Sequence, residues 1–250
     1  MNFHLLEEAA LNAWPAVHQM LYDGWVLRFA NGYTKRANSI NPLYAGVLDL
    51  YEKIDYCEKI YTAQNLLPIF RLIAPFVPPG LDVMLAARGY DRMDPTTVMT
   101  LDLRAWQEKA ASTNEVRVLP LNDWLSLYTQ MSGAALQNEA LHREILKAIL
   151  APRLMAVLHH QGQPVSCGLG VLQGGYLGLF DIFTAANSRR QGFAAELVSA
   201  MLLWAQRQGV SQAYLQVMEN NRPARQLYTK LGFERVYDYW YRVPQTGPAQ

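Results

Sequence analysis

The chain has 250 residues, of which 51% are hydrophobic and 17% charged; this excludes a disordered or fibrous protein and leaves enough apolar material for a real core. A formal net charge of +1 excludes a global field that would draw a nucleic acid or an anionic membrane, and no stretch reaches the length of an apolar membrane span. The two cysteines, Cys57 and Cys167, stand in no metal-ligand or redox spacing, so they are read as reduced core thiols and no metal site is expected.

The opening residues, MNFHLLEEAALNAW, carry acids where a signal peptide needs cations, so a soluble cytoplasmic protein is expected. A hairpin is expected around Asn31-Gly32. A helix follows over Asp49–Gln64, with Leu50, Ile54, Cys57 and Tyr61 on one face, and then a strand over Pro68–Ile73. The stretch Leu103–Glu115, polar and alanine-rich, reads as a linker. Beyond it come a short strand at Val116–Leu119 and helices over Leu121–Met131 and Ala140–Leu150. Three consecutive strands, Arg153–His160, Val165–Val171 and Tyr176–Phe183, are separated by turns at Gln161-Gly162 and Gly174-Gly175 and predict an antiparallel meander. A long helix over Gly192–Gln208 buries Phe193, Leu197, Met201, Trp204 and Ala205 and ends at Gly209. A strand at Ala213–Met218, a helix at Asn221–Leu231 with Pro223 in its first turn, and an aromatic strand at Phe233–Val243 complete the chain before the tail PQTGPAQ.

The two halves repeat each other. LDVMLAARGYDR (Leu81–Arg92) aligns with ARQLYTKLGFER (Ala224–Arg235) at an offset of 143, which pairs Gly89 with Gly232 and Arg92 with Arg235. The same offset pairs strand Pro68–Ile73 with Ser211–Gln216 and the helix from Asp49 with the helix from Gly192. The first half reads as a shortened copy that lacks the third strand of the meander. Expected divisions are residues 1–104 for a degenerate first lobe, 105–115 for a linker and 116–244 for the working lobe.

The run RRQGFAAELV (Arg189–Val198) puts two cations and a glycine where a helix begins. A helix start exposes unbonded N–H groups and carries partial positive charge, and a glycine lets a ligand approach the backbone. Together these make an anion site. Local charge agrees: Ala185 to Arg242 holds eight basic and four acidic residues. No G-x-x-x-x-G-K-[ST] or G-x-G-x-x-G is present, so neither a P-loop nor a dinucleotide fingerprint competes.

The R-x-x-G-x-A run of Arg189, Gly192 and Ala194 resembles the acyl-CoA pyrophosphate loop of the GCN5-related N-acetyltransferases. VMENNRPARQLYTKLGFERV (Val217–Val236) is similar to that family's second signature, and the order of elements from Val116 to Val243 matches its fold. The resemblance implies an α+β fold, as a tandem of two lobes with mixed, mostly antiparallel sheets flanked by helices. At the offset of 143, Arg189 pairs with Gly46, Gly192 with Asp49, Ala194 with Tyr51 and Tyr228 with Leu85, so the first lobe is expected to have lost its site and the chain to carry one.

The family's chemistry implies acetyl-CoA as acyl donor, bound where the strands Tyr176–Phe183 and Ala213–Met218 part, with Phe183 and Thr184 at the end of the first. The pyrophosphate would meet the backbone of Gln191, Gly192, Phe193, Ala194 and Ala195, with Arg189 and Arg190 adding charge. Phe193's side chain is expected in the core. Tyr228 matches the family's tyrosine near the CoA sulfur and takes the general-acid role; the alternative is a packing tyrosine. The backbone N–H of Val217 or Met218 could polarise the thioester carbonyl. Asn220 or Asn221 could hold the pantetheine arm, or cap the next helix. For the base that frees the amine, Asp181 leads and Glu219 follows, while His159 and His160 read as surface residues. Trp25, Tyr33, Lys35, Arg36 and Asn38 could shape an acceptor pocket or pack the hairpin onto the other lobe. The partners expected are acetyl-CoA and an amine, without nucleic acid or membrane, in a monomer or homodimer. A non-catalytic acyl-CoA-binding sensor, and a scaffold without chemistry, are the rival functions.

Overall fold

A computed structural model describes residues 2–108, 114–133 and 136–245. The last five residues of the expected frayed tail and 109–113 of the expected linker lie outside the described residues. The chain forms two compact units: residues up to Ala13 with Val98–Val236, and Trp14–Thr97 with the segment from Tyr237 onward. This differs from the linear division at residues 104 and 116, because both termini leave the half of the sequence they belong to.

Helix α1 (Phe3–Ala13) opens the chain and belongs to the first unit. Its Leu6, Ala9, Ala10 and Ala13 are buried at helical spacing, a pattern that was open to reading in the sequence.

The second unit holds β1 (His18–Tyr22), β2 (Trp25–Phe29), β3 (Ile40–Pro42), α2 (Leu50–Ala63), β4 (Phe70–Ile73), α3 (Leu81–Ala87) and the start of β5 (Tyr90–Asp102). β1, β2 and β3 are antiparallel in turn, and β3 runs parallel to β4. The third meander strand is therefore present, three residues long, and the expectation that it is missing is corrected. The tight hairpin sits at Asp23-Gly24, both at positive φ (42° and 80°), rather than at Asn31-Gly32. Asn31-Gly32 lies instead in the longer connection from β2 to β3. A side chain at Gly24 would meet the Ala45 carbonyl oxygen at 2.5 Å, so the turn admits only glycine.

The first unit continues with β6 (Glu115–Val118), α4 (Leu121–Ser132), α5 (Leu136–Ala148), β7 (Arg153–His160), β8 (Gln163–Gln173), β9 (Tyr176–Thr184), a 3-10 turn (Ala186–Ser188), α6 (Phe193–Arg207), β10 (Gln212–Met218), α7 (Arg222–Leu231) and the start of β11 (Glu234–Pro244). Strands β6 to β9 are antiparallel in turn and β9 runs parallel to β10; β7 to β10 repeat the order of β1 to β4 in the second unit, and β6 adds one strand before it. The strands that follow the last helices trade places. Tyr239–Arg242 of β11 pairs with β4, and β5 borders β10. The aromatic strand expected to finish the second half thus finishes the sheet of the first.

On one face of the first unit's sheet, Phe193, Leu197, Val198, Met201, Leu202 and Ala205 of α6 pack on alternate strand residues such as Leu154, Ala156, Leu158, Leu177 and Leu179. Helices α1 and α4 also lie on this sheet, α1 against β8 and β9 and α4 against β7 and β9. Trp124, fully buried in α4, donates from Nε1 to the Ala156 carbonyl at 3.2 Å. The described part of the expected linker is docked as well: Leu103 is buried, Trp106 Nε1 donates to the Leu231 carbonyl at 3.1 Å, and Gln206 Nε2 donates to the Leu103 carbonyl at 2.6 Å. Cys57 and Cys167 are free and buried, and burial pushes each thiol up to about 12.

In the second unit one carboxylate ties several elements together. Asp23 accepts from the N–H groups of Val47 and Leu48 (2.9 and 3.0 Å) and from Lys53 Nζ (2.9 Å), and these bonds hold it down at about 2. A group whose pKa lies lower folded than unfolded stabilises the fold above its unfolded value and loses that contribution as pH falls. Urea midpoints followed by circular dichroism should therefore drop between the ordinary value of 3.8 and about pH 2 in the wild type. Asp23→Asn should remove that part of the acid limb and lower the midpoint at neutral pH.

Candidate active site

Strands β9 and β10 pair in parallel only from Gln212↔Tyr176 to Leu215↔Leu179. Beyond that point Phe180–Thr184 and Gln216–Met218 share no ladder, so the sheet opens between them. A bulge sits at the same place. Opposite the two steps from Cys167 to Leu169 on β8, β9 takes three, from Phe183 to Phe180. Asp181 takes up the extra length in the left-handed region (φ 49°). Ile182 packs on the core beneath α6, Phe180 meets the Tyr214 ring, and the Asp181 carboxylate reaches the other way, to α5. The end of β9 is pinned by Ser166, whose Oγ donates to the Phe183 carbonyl at 2.7 Å and lies 3.0 Å from Thr184 Oγ1.

From Thr184 the chain passes through the 3-10 turn to Arg189-Arg190-Gln191-Gly192. Arg190 and Gly192 both have positive φ, 65° and 88°. Arg189 Nε donates to the Thr184 carbonyl at 3.3 Å, with its guanidinium 5.6 Å over the Phe183 ring, and Gln191 Nε2 donates to the Asn187 carbonyl. Gly192 is the N-cap of α6, and among the described residues no side chain caps that helix. Among the described residues nothing stands within 4 Å of where its Cβ would be. The N–H groups of Phe193, Ala194 and Ala195 thus begin a helix with no acceptor inside it, beside two arginines. An anion fits there. The Phe193 side chain is buried in the core, 4.9 Å from the His160 ring.

The equivalent place in the second unit is already filled. Asp49 caps α2 and accepts from Tyr51 N at 2.8 Å. Asp23 takes the N–H groups of Val47 and Leu48, and Gly46, which pairs with Arg189, has no room for a side chain because the Asp23 carboxylate lies against it. Two internal carboxylates occupy the amides that an external anion would use.

Tyr228 on α7 is buried, its ring 5.8 Å from Phe233, and burial pushes its phenol up to about 12. Its hydroxyl has no hydrogen-bond partner among the described residues. Val217 is buried and Met218 exposed, both on the part of β10 that has left β9. Asn221 caps α7, its side chain accepting from Ala224 N at 3.2 Å. Asn220 and Glu219 are exposed in the turn before it.

The residue that sequence reasoning missed is His142. Its Nε2 lies 2.9 Å from Asp181 Oδ2, with the imidazole 3% and the carboxylate 16% exposed. No spacing announces a contact between residues 39 positions apart. Ser166 escaped in the same way. His160 is corrected from surface residue to packed one: Nδ1 lies 2.9 Å from Asn114 Oδ1 and the ring rests on Phe193. His159 is half-buried as well. In the second unit Trp25 is buried with Lys53 Nζ 4.2 Å over its ring, Asn38 accepts from Ala30 N and Gly32 N, and Lys35 pairs with Asp94 at 2.7 Å. The Arg36 carbonyl accepts from Arg28 and Tyr33 N bonds the Ala30 carbonyl, so each of the five makes a contact within its own unit.

Residues 2–242 match the family described as probable histone acetyltransferase Rv0428c, C-terminal. The chain belongs to that family. It is a GCN5-related N-acetyltransferase, an acyltransferase enzyme with the fold that the parted strands and the loop before α6 indicate. The uncharacterized N-acetyltransferase YobR of Bacillus subtilis is 27% identical over 246 residues, 95% of this chain and 97% of its own. An aminoglycoside N(6′)-acetyltransferase type 1 of Serratia marcescens is 32% identical over 133 residues, 48% of this chain and 90% of its own. A GCN5-related N-acetyltransferase from Kribbella flavida superposes with a TM-score of 0.72 at 16% identity, over 98% of this chain and 96% of that one. No helix of the acetyltransferase is long and apolar enough to cross a membrane, and no metal-binding cluster exists, among the described residues.

The bulge depends on a small residue opposite it. A Cβ at Gly168 would come 2.5 Å from Ile182 Cδ1 and 3.3 Å from Met201 Sδ. Gly168→Val should cost about 1–3 kcal/mol of stability by overpacking, measured by urea unfolding.

Proposed function

We propose that the first unit transfers an acetyl group from acetyl-CoA to a primary amine by direct attack in a ternary complex, at one site per chain. The observation that carries this reading is the contrast between two related helix starts. That of α2 is closed by its own carboxylates, and that of α6 is open, glycine-led and flanked by Arg189 and Arg190.

Residues Gln191 to Ala195 present their amides to the pyrophosphate, and the arginines add charge-assisted bonds of about 1.5–3 kcal/mol each where water is excluded. Phe183, Thr184, Val217 and Asn220 line the parted strands that receive the pantetheine arm, and Asn221 offers only its amide nitrogen, since its oxygen caps α7. Asp181 accepts a proton from the incoming ammonium, the freed amine attacks the thioester carbonyl, and the N–H of Val217 or Met218 stabilises the oxyanion. As the C–S bond breaks, Tyr228 offers its proton to the sulfur. At about 12, its phenol stays protonated throughout the neutral range. A thiol titrates near 8.5, so Tyr228 supports the developing thiolate through a hydrogen bond more than by complete transfer.

The amine acceptor is supported by what the relatives' names say they act on, a histone and an aminoglycoside. Of the two base candidates, Asp181 is favoured over Glu219 because it stands where the strands part, half-buried and hydrogen-bonded. We place the protein in the cytoplasm, as a monomer or homodimer that binds neither nucleic acid nor membrane. The near-neutral net charge supports the last point.

Calorimetric titration with CoA should show Gly192→Asp weakened at least about tenfold, because a fixed carboxylate enters the anion site and each lost charge-assisted bond is worth about 1.5–3 kcal/mol. Thiol release from acetyl-CoA across an amine panel should show Tyr228→Phe with kcat reduced and CoA affinity kept. An equal loss of both would remove the acid role.

A further inference from the structure

We infer that His142 is a positioning residue for the transfer: its Nε2 holds Asp181 Oδ2, so that Oδ1 is left for the ammonium of the acceptor. The inference rests on the reading of Asp181 as base given under the proposed function.

The contact has the geometry of a full hydrogen bond, 2.9 Å, and both groups are withdrawn from water. Burying such a pair is a poor way to gain stability, since well-packed apolar side chains would serve as well or better. The surroundings fix the imidazole instead. Tyr128 lies edge-on to it, centroids 5.3 Å apart at 79°, and Trp124 does the same at 6.4 Å and 83°. Tyr128 in turn stacks on Trp124 at 5.3 Å and 14°, and the Trp124 indole is anchored to β7 through Ala156. On its far side Tyr128 meets Phe183, 6.3 Å away, so the aromatic wall runs from the imidazole to the end of β9. One helix, α4, braced on two strands, β7 and β9, thus holds a ring carried by α5 whose nitrogen meets the carboxylate on the bulge. The Asp181 carboxylate makes no other hydrogen bond among the described residues, so one of its oxygens is committed and the other is not.

The proton step balances without further reagents. One N–H bond of the ammonium breaks, an O–H bond forms at Oδ1, the carboxylate and the ammonium each become neutral, and His142 keeps its own proton. With its second oxygen held, the carboxylate cannot swing away from the amine.

Variants of the full chain separate this role from packing. His142→Phe keeps the ring inside its aromatic wall and removes the donor. With spermine, an aminoglycoside and lysine as acceptors, it should lower kcat by up to about 100-fold, the scale on which misplaced groups act. The KM for acetyl-CoA should stay the same. His142→Gln, which restores an N–H donor, should recover most of the rate. His142→Phe combined with Asp181→Asn should be no slower than Asp181→Asn alone. Wild-type turnover in His142→Phe, alongside loss in Asp181→Asn, overturns the inference and leaves the base standing. Wild-type turnover in Asp181→Asn overturns both. A readout that needs no acceptor uses protein labelled with 15N-histidine. A ring N–H proton, assigned to His142 by its loss in His142→Phe, should be protected from exchange and lose that protection in Asp181→Ala. Unchanged exchange without the carboxylate overturns the pair whichever amine is the substrate.

Discussion

The parallel ladder between β9 and β10 lasts four residue pairs and then stops, at the point where β9 takes in one residue more than β8 can match. This local misfit shapes the working unit. It separates the strands, turns Asp181 towards α5 while Ile182 remains in the core, and delivers the chain past Thr184 into the loop that opens α6. A regular strand would have alternated its side chains and kept its partner. The cost is a non-glycine residue in the left-handed region, tolerated because Ser166 and Gly168 on β8 hold and accommodate the distortion.

The two units share one scaffold and differ in what occupies it. Helix starts leave amides to be satisfied, by an internal group or by a ligand. In the second unit Asp23 and Asp49 do so from within, and Lys53 balances Asp23. In the first, glycine stands where the second has an aspartate, arginine stands where the second has glycine, and the amides remain available. Loss of a site on this scaffold requires no loss of fold, since a carboxylate that bonds the loop amides stabilises the loop it closes.

Particular residues show how far the sequence was legible. R-x-x-G-x-A and the Tyr228 segment were readable because the chemistry of each lies within a few consecutive residues. The copy relation was readable because glycine, aromatic and arginine recur at one offset. The Asp23-Gly24 hairpin was overlooked in favour of Asn31-Gly32, although both are good turn dipeptides: the pairing of β1 with β2 decides between them. The three-residue strand β3 carries too little periodicity to be seen by itself, and exists because β2 and β4 flank it.

By itself the sequence determined the class of fold, the order of the elements from Val116 onward, and the helix start that is led by arginines and glycine rather than by an aspartate. These depend on backbone propensity, hydrophobic period and short-range chemistry, all written along the chain. Only the tertiary structure decided that α1 and the end of β11 belong to a different unit from their sequence neighbours, that Asp23 closes the first copy's loop, and that His142 meets Asp181. Those facts are contacts between segments far apart in sequence, and they follow from packing, which leaves no local mark on either partner.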